Sequence, residues 1–277
     1  MPIRLLWVLL ALAVLPVRAE TVYSFGAVPV RSPVLTAQYW NPILNYVSQK
    51  TGVTLLLKVA RTGTESTAAI TRGEYDFAWT NHIFKPTTAS VGYQIILRPR
   101  TEALTSQIVT LEGSTIRRLS DLQGQTVGFP SKAAFVGYAV PMDHLIRQGI
   151  TVSPVFGGNQ EGIMGQLKAG KVVAAAVNNL VMRGFAAREG LRYNVIWESQ
   201  PYHDVPIAAH PRVPRKIVLA VQKAFAEMSK DPEGIRIQEA SAQIIGEKPP
   251  YGFQPANQKD FQNYLELYRH TVVKDLE

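Results

Sequence analysis

Residues 151–177 read TVSPVFGGNQEGIMGQLKAGKVVAAAV and contain two apolar runs separated by a helical pattern. Thr151 to Phe156 has the length and composition of a short strand, Glu161 to Ala169 has helical spacing, and Lys171 to Val177 is a second apolar run. Gly170, between the helical pattern and the second run, is a residue type that commonly ends helices. A strand, a helix and a strand in succession predict an α/β fold with largely parallel sheets.

The same alternation continues on both sides of this stretch, almost from one end of the chain to the other. Apolar residues four apart and terminal glycines indicate the helices, and short apolar runs indicate the strands. We predict strands at 22–28, 54–60, 76–80, 107–111, 125–129, 151–156, 171–177, 193–197 and 205–209, helices at 34–51, 66–72, 137–148, 161–169 and 180–187, and a helical C-terminal part.

The chain contains two successive α/β blocks followed by helices. No low-complexity or Pro/Gly-rich linker separates the blocks, which favours two lobes joined by crossing strands at a hinge over two independent domains. We predict that lobe 1 comprises residues 20–105 and 205–277 and that lobe 2 comprises residues 106–204. The chain is also long enough for one large domain, so composition alone leaves both arrangements open.

The N-terminus has the three parts of a secretory signal peptide. Arg4 precedes an apolar run from Leu5 to Leu15, and Val17-Arg18-Ala19 supplies a small residue at the cleavage site. The run is about eleven residues, whereas a helix needs about 20 apolar residues to span a membrane. We therefore predict a signal peptide at residues 1–19, cleavage near Ala19 and a periplasmic protein, with an uncleaved anchor as the alternative.

Composition and charge exclude several classes of protein. The chain has no cysteine, so it has no disulfide, thiolate metal site or cysteine nucleophile. Removal of the signal peptide with its two arginines lowers the formal net charge from +8 to +6. The longest basic clusters are the pairs Arg117-Arg118 and Arg215-Lys216, which argues against nucleic-acid binding. The positive balance leaves an ordinary solvated surface or an anion-attracting cleft.

Sequence motifs of common enzymes are absent from the chain. It has no G-x-S-x-G elbow, no phosphate-binding P-loop, no H-E-x-x-H and no dinucleotide fingerprint. No two of the five histidines have the spacing of metal ligands. His203 and Asp204 are adjacent on a predicted extended segment, where neighbouring side chains point to opposite faces. We therefore predict no enzyme activity, no catalytic residue, no metal and no cofactor.

Four loops join the end of a predicted strand to small or hydrogen-bonding residues before a helix. They are the segments 60–64, 80–82, 129–134 and 156–160. In α/β sheets ligands bind at this edge, where helix N-termini offer free N–H groups. Ordinary helix capping is the alternative for each residue. The predicted ligand-binding residues are Arg61, Thr64, Thr80, Asn81, His82, Ser131, Lys132, Phe135, Asn159 and Gln160, with Asn178, Tyr202 and Asp204 near the hinge.

Five stretches of the chain also resemble a known family in their order and spacing. They are YSFGAVP at 23–29, RGEYDFAW at 72–79, the run from Ile116 to Gly124, GYAVP at 137–141 and WESQPYHDVPIA at 197–208. Together they resemble the phosphate/phosphite/phosphonate-type substrate-binding proteins of ABC transporters. The resemblance implies a type II periplasmic binding protein with a cleft that closes on a small oxyanion, a monomer, and a membrane permease as partner. The alternative is a receptor of this fold that signals to a sensor kinase or cyclase.

Two of the family's anion-binding stretches are altered in this chain. Phosphonate-binding members usually carry a Ser-Thr-Ser-like run where this sequence has Ala134-Phe135-Val136. Many members carry Gly-Ser-His-Asp where this sequence has Gly157-Gly158-Asn159-Gln160. Each lost hydrogen bond to a charged oxygen is worth about 1.5 to 3 kcal/mol. We expect weaker phosphonate binding than in those members, and room for a ligand with an apolar portion.

Overall fold

Two β-sheets flanked by helices organise residues 21–277, the part of the chain that the computed structural model describes. The predicted signal peptide lies outside these residues. The strands are β1 Val22–Ala27, β2 Thr54–Val59, β3 Phe77–Trp79, β4 Gln94–Pro99, β5 Ser106–Leu111, β6 Thr126–Phe129, β7 Ser153–Phe156, β8 Ala174–Asn178, β9 Tyr193–Glu198, β10 Ile207–Ala209 and β11 Phe253–Pro255. The helices are α1 Pro33–Thr51, α2 Gly63–Thr71, α3 Val140–Arg147, α4 Gln160–Lys168, α5 Asn179–Glu189, α6 Arg215–Glu227, α7 Pro232–Ile245 and α8 Gln262–His270.

The first sheet has the strand order β11-β4-β10-β3-β1-β2, and the second has β7-β6-β8-β5-β9. The first sheet therefore takes its strands from both ends of the described chain, and the second from the middle. Only the pairs β1–β2, β1–β3, β6–β7 and β6–β8 are parallel. The expectation of largely parallel sheets is wrong in this respect, because β4, β5, β9, β10 and β11 enter or leave the sheets in antiparallel pairs.

Two strands of the first sheet, β4 and β11, were not predicted from the sequence. β4 has only three consecutive apolar residues before it reaches Arg98 and Pro99, and β11 is only three residues long. Turn residues do precede them, namely Gly92 before β4 and Pro249, Pro250 and Gly252 before β11, but neither strand has the alternation that identifies a strand locally. Both become strands because β4 pairs with β10 on one side and β11 on the other.

Local signals explain the ends of the first helix. The Ser32 hydroxyl accepts a hydrogen bond from the Leu35 N–H at 3.3 Å, and Pro33 occupies the first helical position. Gly52 ends the helix with a left-handed φ of 70°, which glycine adopts without steric strain. The helix buries Trp40 against Phe25, Trp79 and Phe253 in the core of the first sheet.

A cluster of buried aromatic and apolar residues joins elements that belong to different sheets. The Phe135 ring stacks on Tyr264 of α8 with ring centroids 4.0 Å apart, and it meets the Tyr202 ring edge-on at 5.0 Å. Phe84 packs against Tyr264 from the side of the first sheet. Helix α8 therefore lies across the boundary between the two sheets. None of the helices within residues 21–277 is long and apolar enough to cross a membrane.

Candidate functional site

Two adjoining cavities lie among the loops that follow the strands. The first, here called the polar cavity, is lined by Val28, Pro29, Val30, Gly63, Asn81, His82, Leu104, Pro130, Ser131, Ala134, Phe135, Val136, Asn159, Gln160, Asn178 and Val205. The second, the aromatic cavity, is lined by Val30, Arg31, Tyr39, Trp40, Trp79, Pro99, Asn178, Leu180, Val181, Asp204, Val205, Ile245, Glu247 and Phe253. Val30, Asn178 and Val205 line both cavities.

The topology explains why these loops meet. β1 and β3 are parallel neighbours in the first sheet, and β6, β7 and β8 run parallel in the second. Their carboxyl ends therefore face the same boundary from opposite sides, which is where α/β sheets bind ligands.

On the side of the first sheet, Asn81 and His82 follow β3 and are buried. The His82 N–H donates to the Thr80 hydroxyl at 3.0 Å, and ring atom Nδ1 lies 3.2 Å from the Thr67 hydroxyl oxygen. Burial, with the nearby Lys85 charge, lowers the pKa of His82 well below its usual value of 6.5. The imidazole is therefore neutral at pH 7, and hydrogen bonding is its means of holding a ligand.

On the side of the second sheet, two asparagines cap helices that point at the polar cavity. Asn159 Oδ1 accepts from the Gly162 N–H at 2.8 Å and begins α4. Asn178 Oδ1 accepts from the N–H groups of Leu180 and Val181 and begins α5. Because capping uses the oxygens, the amide NH₂ groups are what these asparagines can offer to a ligand.

The side-chain amide of Gln160 likewise uses its oxygen within the protein and leaves its NH₂ group for a ligand. Its Oε1 accepts from the Asn178 N–H at 3.1 Å, which leaves the Nε2 donors. The side chain is buried in the polar cavity.

A further helix starts at the polar cavity without a side-chain cap. A π-helical turn at Phe135–Ala139 continues directly into α3, and Ala134 occupies the N-cap position. Alanine has no hydroxyl or amide with which to satisfy the first N–H groups, and these groups have no acceptor within the helix. Ala134, Phe135 and Val136 all line the cavity. Within residues 21–277 no side chain caps this helix start, so its first N–H groups are available to a ligand at the site.

The two halves of the site touch at Gly63. A Cβ atom on Gly63 would lie 2.6 Å from Ser131 Oγ and 3.0 Å from Ala133 Cβ. Gly63 begins α2 beside the first sheet, whereas Ser131 and Ala133 follow β6 of the second. Only a residue without a side chain allows this approach.

The aromatic cavity contains one basic and two acidic side chains, those of Arg31, Asp204 and Glu247, among the rings of Trp79 and other aromatic residues. Burial raises the pKa of Glu247 to about 7, and burial also raises the pKa of Asp204. Asp204 accepts hydrogen bonds from the Val205 N–H and the Thr101 hydroxyl. Arg31 Nε and Trp79 Nε1 are buried and have no hydrogen-bond partner among residues 21–277. The cavity therefore offers both acceptors and unused donors.

Replacing Glu247 with glutamine should stabilise the protein at pH 8 and change little at pH 5. The folded pKa of about 7 exceeds the usual 4.5, so the wild type loses stability as pH rises through this window. Each pKa unit corresponds to about 1.4 kcal/mol, which gives an upper limit of about 3 kcal/mol for the gain. Urea unfolding at pH 5, 6, 7 and 8 measures it. The same change at exposed Glu239 on α7 is the control, and an equal gain at pH 5 and pH 8 would contradict the assignment.

Five of the residues predicted from the sequence lie outside both cavities. Arg61 is exposed and pairs with Glu65 at 2.6 Å. Thr80 is buried, and its hydroxyl accepts from the His82 N–H. Tyr202 belongs to the aromatic cluster that contains Phe135. The remaining two make contacts with the C-terminal segment, as the Thr64 hydroxyl donates to Glu277 and Lys132 pairs with Asp275.

The other eight predicted residues line the cavities. The polar cavity brings together Asn81, His82, Ser131, Phe135, Asn159, Gln160 and Asn178, and the aromatic cavity contains Asp204 and again Asn178.

Two charged residues of the aromatic cavity, Arg31 and Glu247, were not predicted from the sequence. Arg31 lies in the loop between β1 and α1, which has the same strand-to-helix placement as the four loops that were selected. That rule, applied to the first strand, would have found it. Glu247 follows α7, far from any strand end, and no local signal marks it.

Comparison with known proteins gives the following similarities. The sequence model of a family described as "ABC transporter, phosphonate, periplasmic substrate-binding protein" matches residues 25–261. No curated protein sequence matches the chain.

Solved structures of similar fold include a binding protein component of an ABC phosphonate transporter from Pseudomonas aeruginosa, with a TM-score of 0.76 and 16% identity over 90% of this chain and 85% of that one. PhnD1 from Prochlorococcus marinus in complex with methylphosphonate has a TM-score of 0.74 and 14% identity over 90% and 97%. A Xanthomonas citri protein bound to chloride ion has a TM-score of 0.67 and 16% identity over 90% and 96%.

Proposed function

This chain belongs to the periplasmic substrate-binding proteins of phosphonate ABC transporters, and on that premise we propose that it binds a small oxyanion of the phosphonate or phosphate class in the polar cavity. Its fold is that of the type II periplasmic binding proteins. The family is periplasmic and works with a membrane permease. We further propose that the protein acts as a monomer and is not an enzyme.

One observation supports the anion above all others, namely the uncapped helix start at Ala134-Phe135. The N-terminus of a helix carries roughly half a positive charge and several free N–H groups, so it attracts an anion without any basic side chain. Asn159, Gln160 and Asn178 add neutral NH₂ donors around the same cavity. Backbone amides thus replace the hydroxyls that the resemblance leads one to expect at this position.

The hydrogen bonding of His82 favours a ligand whose oxyanion group carries one proton. The Thr67 hydroxyl donates to the Gly63 carbonyl at 3.1 Å, so its oxygen accepts from Nδ1–H of His82 and leaves Nε2 as an acceptor. An acceptor beside an oxyanion favours a ligand O–H group, such as that of a phosphonate monoanion. Affinity is therefore expected to fall as pH rises through the second ionisation of the ligand.

We propose that the aromatic cavity binds the substituent that the oxyanion group carries. Its aromatic walls suit an apolar portion, and Arg31 and Trp79 supply donors. When Glu247 is ionised, above about pH 7, the two carboxylates outnumber Arg31, so the cavity opposes a second anionic group and favours a substituent that donates hydrogen bonds. We therefore propose one oxyanion per ligand, with its substituent directed toward Asp204.

The same proposal places a hinge where the chain passes between the sheets. Leu104 and Tyr202 exchange two backbone hydrogen bonds, at 2.9 and 2.7 Å, in a two-residue bridge between the crossing segments. We propose that lobes 20–105 with 205–277 and 106–204 close about this bridge. We also propose export with cleavage after Ala19, so that the mature protein begins at Glu20. The described residues carry no feature that favours the signalling role.

Titration calorimetry of the protein from Glu20 onward tests the function. We expect binding of methylphosphonate or of a phosphonate with a larger, hydrogen-bond-donating substituent, and weaker binding of bis-phosphonates. Binding should be stronger at pH 6 than at pH 8.5. Absence of binding by phosphate, phosphite and every phosphonate of such a panel at millimolar concentration would contradict the proposal.

A further inference from the structure

The last seven residues, 271–277, form a segment that we call the C-terminal strap. It follows α8 and lies beyond the part of the chain that the family's sequence model matches. The strap runs from α8 along the surface of the second sheet and then returns to α2 beside the first sheet. It makes hydrogen bonds or ion pairs in both of these regions.

The first half of the strap is attached to the second sheet and its helix α3. Asp143 Oδ1 accepts from both the Thr271 hydroxyl and the Val272 N–H, each at 2.9 Å. Val273 is 6% exposed and belongs to the core cluster that contains Phe129 and Leu145. Burial of this valine makes the attachment more than a surface contact.

The second half of the strap contains Asp275 and Glu277, which bind residues beside the polar cavity on its two sides. Asp275 accepts from the Tyr138 hydroxyl at 2.8 Å and pairs with Lys132 at 3.0 Å, on the side of the second sheet. Glu277 accepts from the Thr64 hydroxyl at 2.6 Å, on the side of the first. A single residue, Leu276, therefore separates an anchor on one half of the site from an anchor on the other.

The anchors are adjacent in sequence to the residues where the two halves touch. Lys132 follows Ser131, and Thr64 follows Gly63, and Ser131 and Gly63 make the closest approach across the site. The strap thus bridges the boundary beside the polar cavity. If the lobes separate, Asp275 and Glu277 cannot both keep their partners.

Lys85 gives an independent reason why an acidic strap end is favourable. Its side chain is 3% exposed, and Nζ has no hydrogen-bond partner among the described residues. Burial lowers the pKa of Lys85 to about 7, and the Glu277 carboxylate opposes this shift by favouring the ammonium form. Removing that carboxylate leaves the buried lysine without a compensating charge.

We propose that the C-terminal strap is a latch that holds the cleft closed and slows the uptake and release of the ligand by the polar cavity. This inference rests on the proposed function, because it concerns the same site. Exposed ion pairs contribute little individually, so we expect the charged anchors to change rate constants by about 3-fold to 10-fold rather than abolish binding.

The test uses two variants, one that leaves the buried part of the strap in place and one that removes the whole strap. Asp275→Asn with Glu277→Gln removes the charges and keeps Val273 buried, whereas a stop after His270 removes the strap altogether. Glu266→Gln, on an exposed position of α8, is the matched control for loss of a carboxylate. Because the chain has no cysteine, Thr71→Cys and Gln148→Cys accept spin labels at these two positions alone.

Distances between the spin labels provide a readout that needs no ligand. We expect the ligand-free double variant and the truncated protein to shift toward longer and broader distances than the wild type and the Glu266→Gln control. With methylphosphonate as probe, stopped-flow measurements should show faster association and faster dissociation in both variants. Unchanged distances in both variants would overturn the latch. If the probe does not bind at all, the proposed function fails while the distances still test the latch.

Discussion

Replacing Gly63 with valine is expected to lower the affinity for the proposed phosphonate ligand by about 100-fold or more, which corresponds to about 2.8 kcal/mol. A Cβ atom here would lie 2.6 Å from Ser131 Oγ, whereas unbonded atoms of this kind normally approach to about 3.5 Å. Valine adds two further methyl groups beyond that Cβ. The halves of the site must then stay apart, so no ligand can contact both.

The fold should survive this substitution, because Gly63 does not have a positive φ and begins α2 beside its N-cap residue Thr62. Calorimetry measures the affinity, and circular dichroism with thermal unfolding measures the fold. Gly165→Val on α4 is the matched control, since a Cβ there meets nothing within 4 Å. Wild-type affinity in Gly63→Val would show that the site does not require this approach.

Replacing Phe135 with serine is expected to cost about 3 to 5 kcal/mol of folding stability and not to improve phosphonate binding. The substitution introduces a hydroxyl of the kind that phosphonate-binding members of the family carry in this stretch. Phe135 is 1% exposed, however, and its ring packs on Tyr264, Tyr202 and Tyr268. Loss of the ring leaves a cavity in the cluster that joins α8 to the second sheet.

Chemical denaturation of Phe135→Ser and of Phe135→Leu separates packing from hydrogen bonding, because leucine keeps most of the apolar volume and adds no hydroxyl. We expect the leucine variant to lose clearly less stability than the serine variant. If the serine variant were as stable as the wild type and bound methylphosphonate more tightly, Phe135 would merely fill the place of a ligand-binding hydroxyl. The expected result assigns it to the aromatic cluster instead.

Most of the strands and helices follow from local sequence. The helices α1, α4 and α5 begin near asparagine or serine caps, and α1 and α5 end at glycines with positive φ. These signals act over a few residues, so a single sequence reveals them. The strands β4 and β11 lack a local alternation of apolar and polar residues, and they form through hydrogen bonds to strands elsewhere in the chain.

The candidate site is predictable only in part for the same reason. The rule that ligands bind beyond the carboxyl ends of strands selects Asn81, His82, Asn159 and Gln160, which do line one cavity. It also selects Arg61, whose side chain turns to its own helix and pairs with Glu65. Side-chain direction depends on the nearest partner, and sequence position does not specify that partner.

The α/β architecture, its two blocks of strands and helices and the family resemblance are therefore contained in the sequence, because periodicity, capping residues and motif order are properties of neighbouring residues. The tertiary structure alone decided that Glu247 joins Arg31 and Asp204, that Phe135 stacks on Tyr264, and that Asp275 and Glu277 reach opposite sides of one site. Apart from Glu247 and Asp204, which are 43 positions apart, these contacts join residues more than 100 positions apart. Their existence depends on how the two sheets pack, which no local pattern encodes.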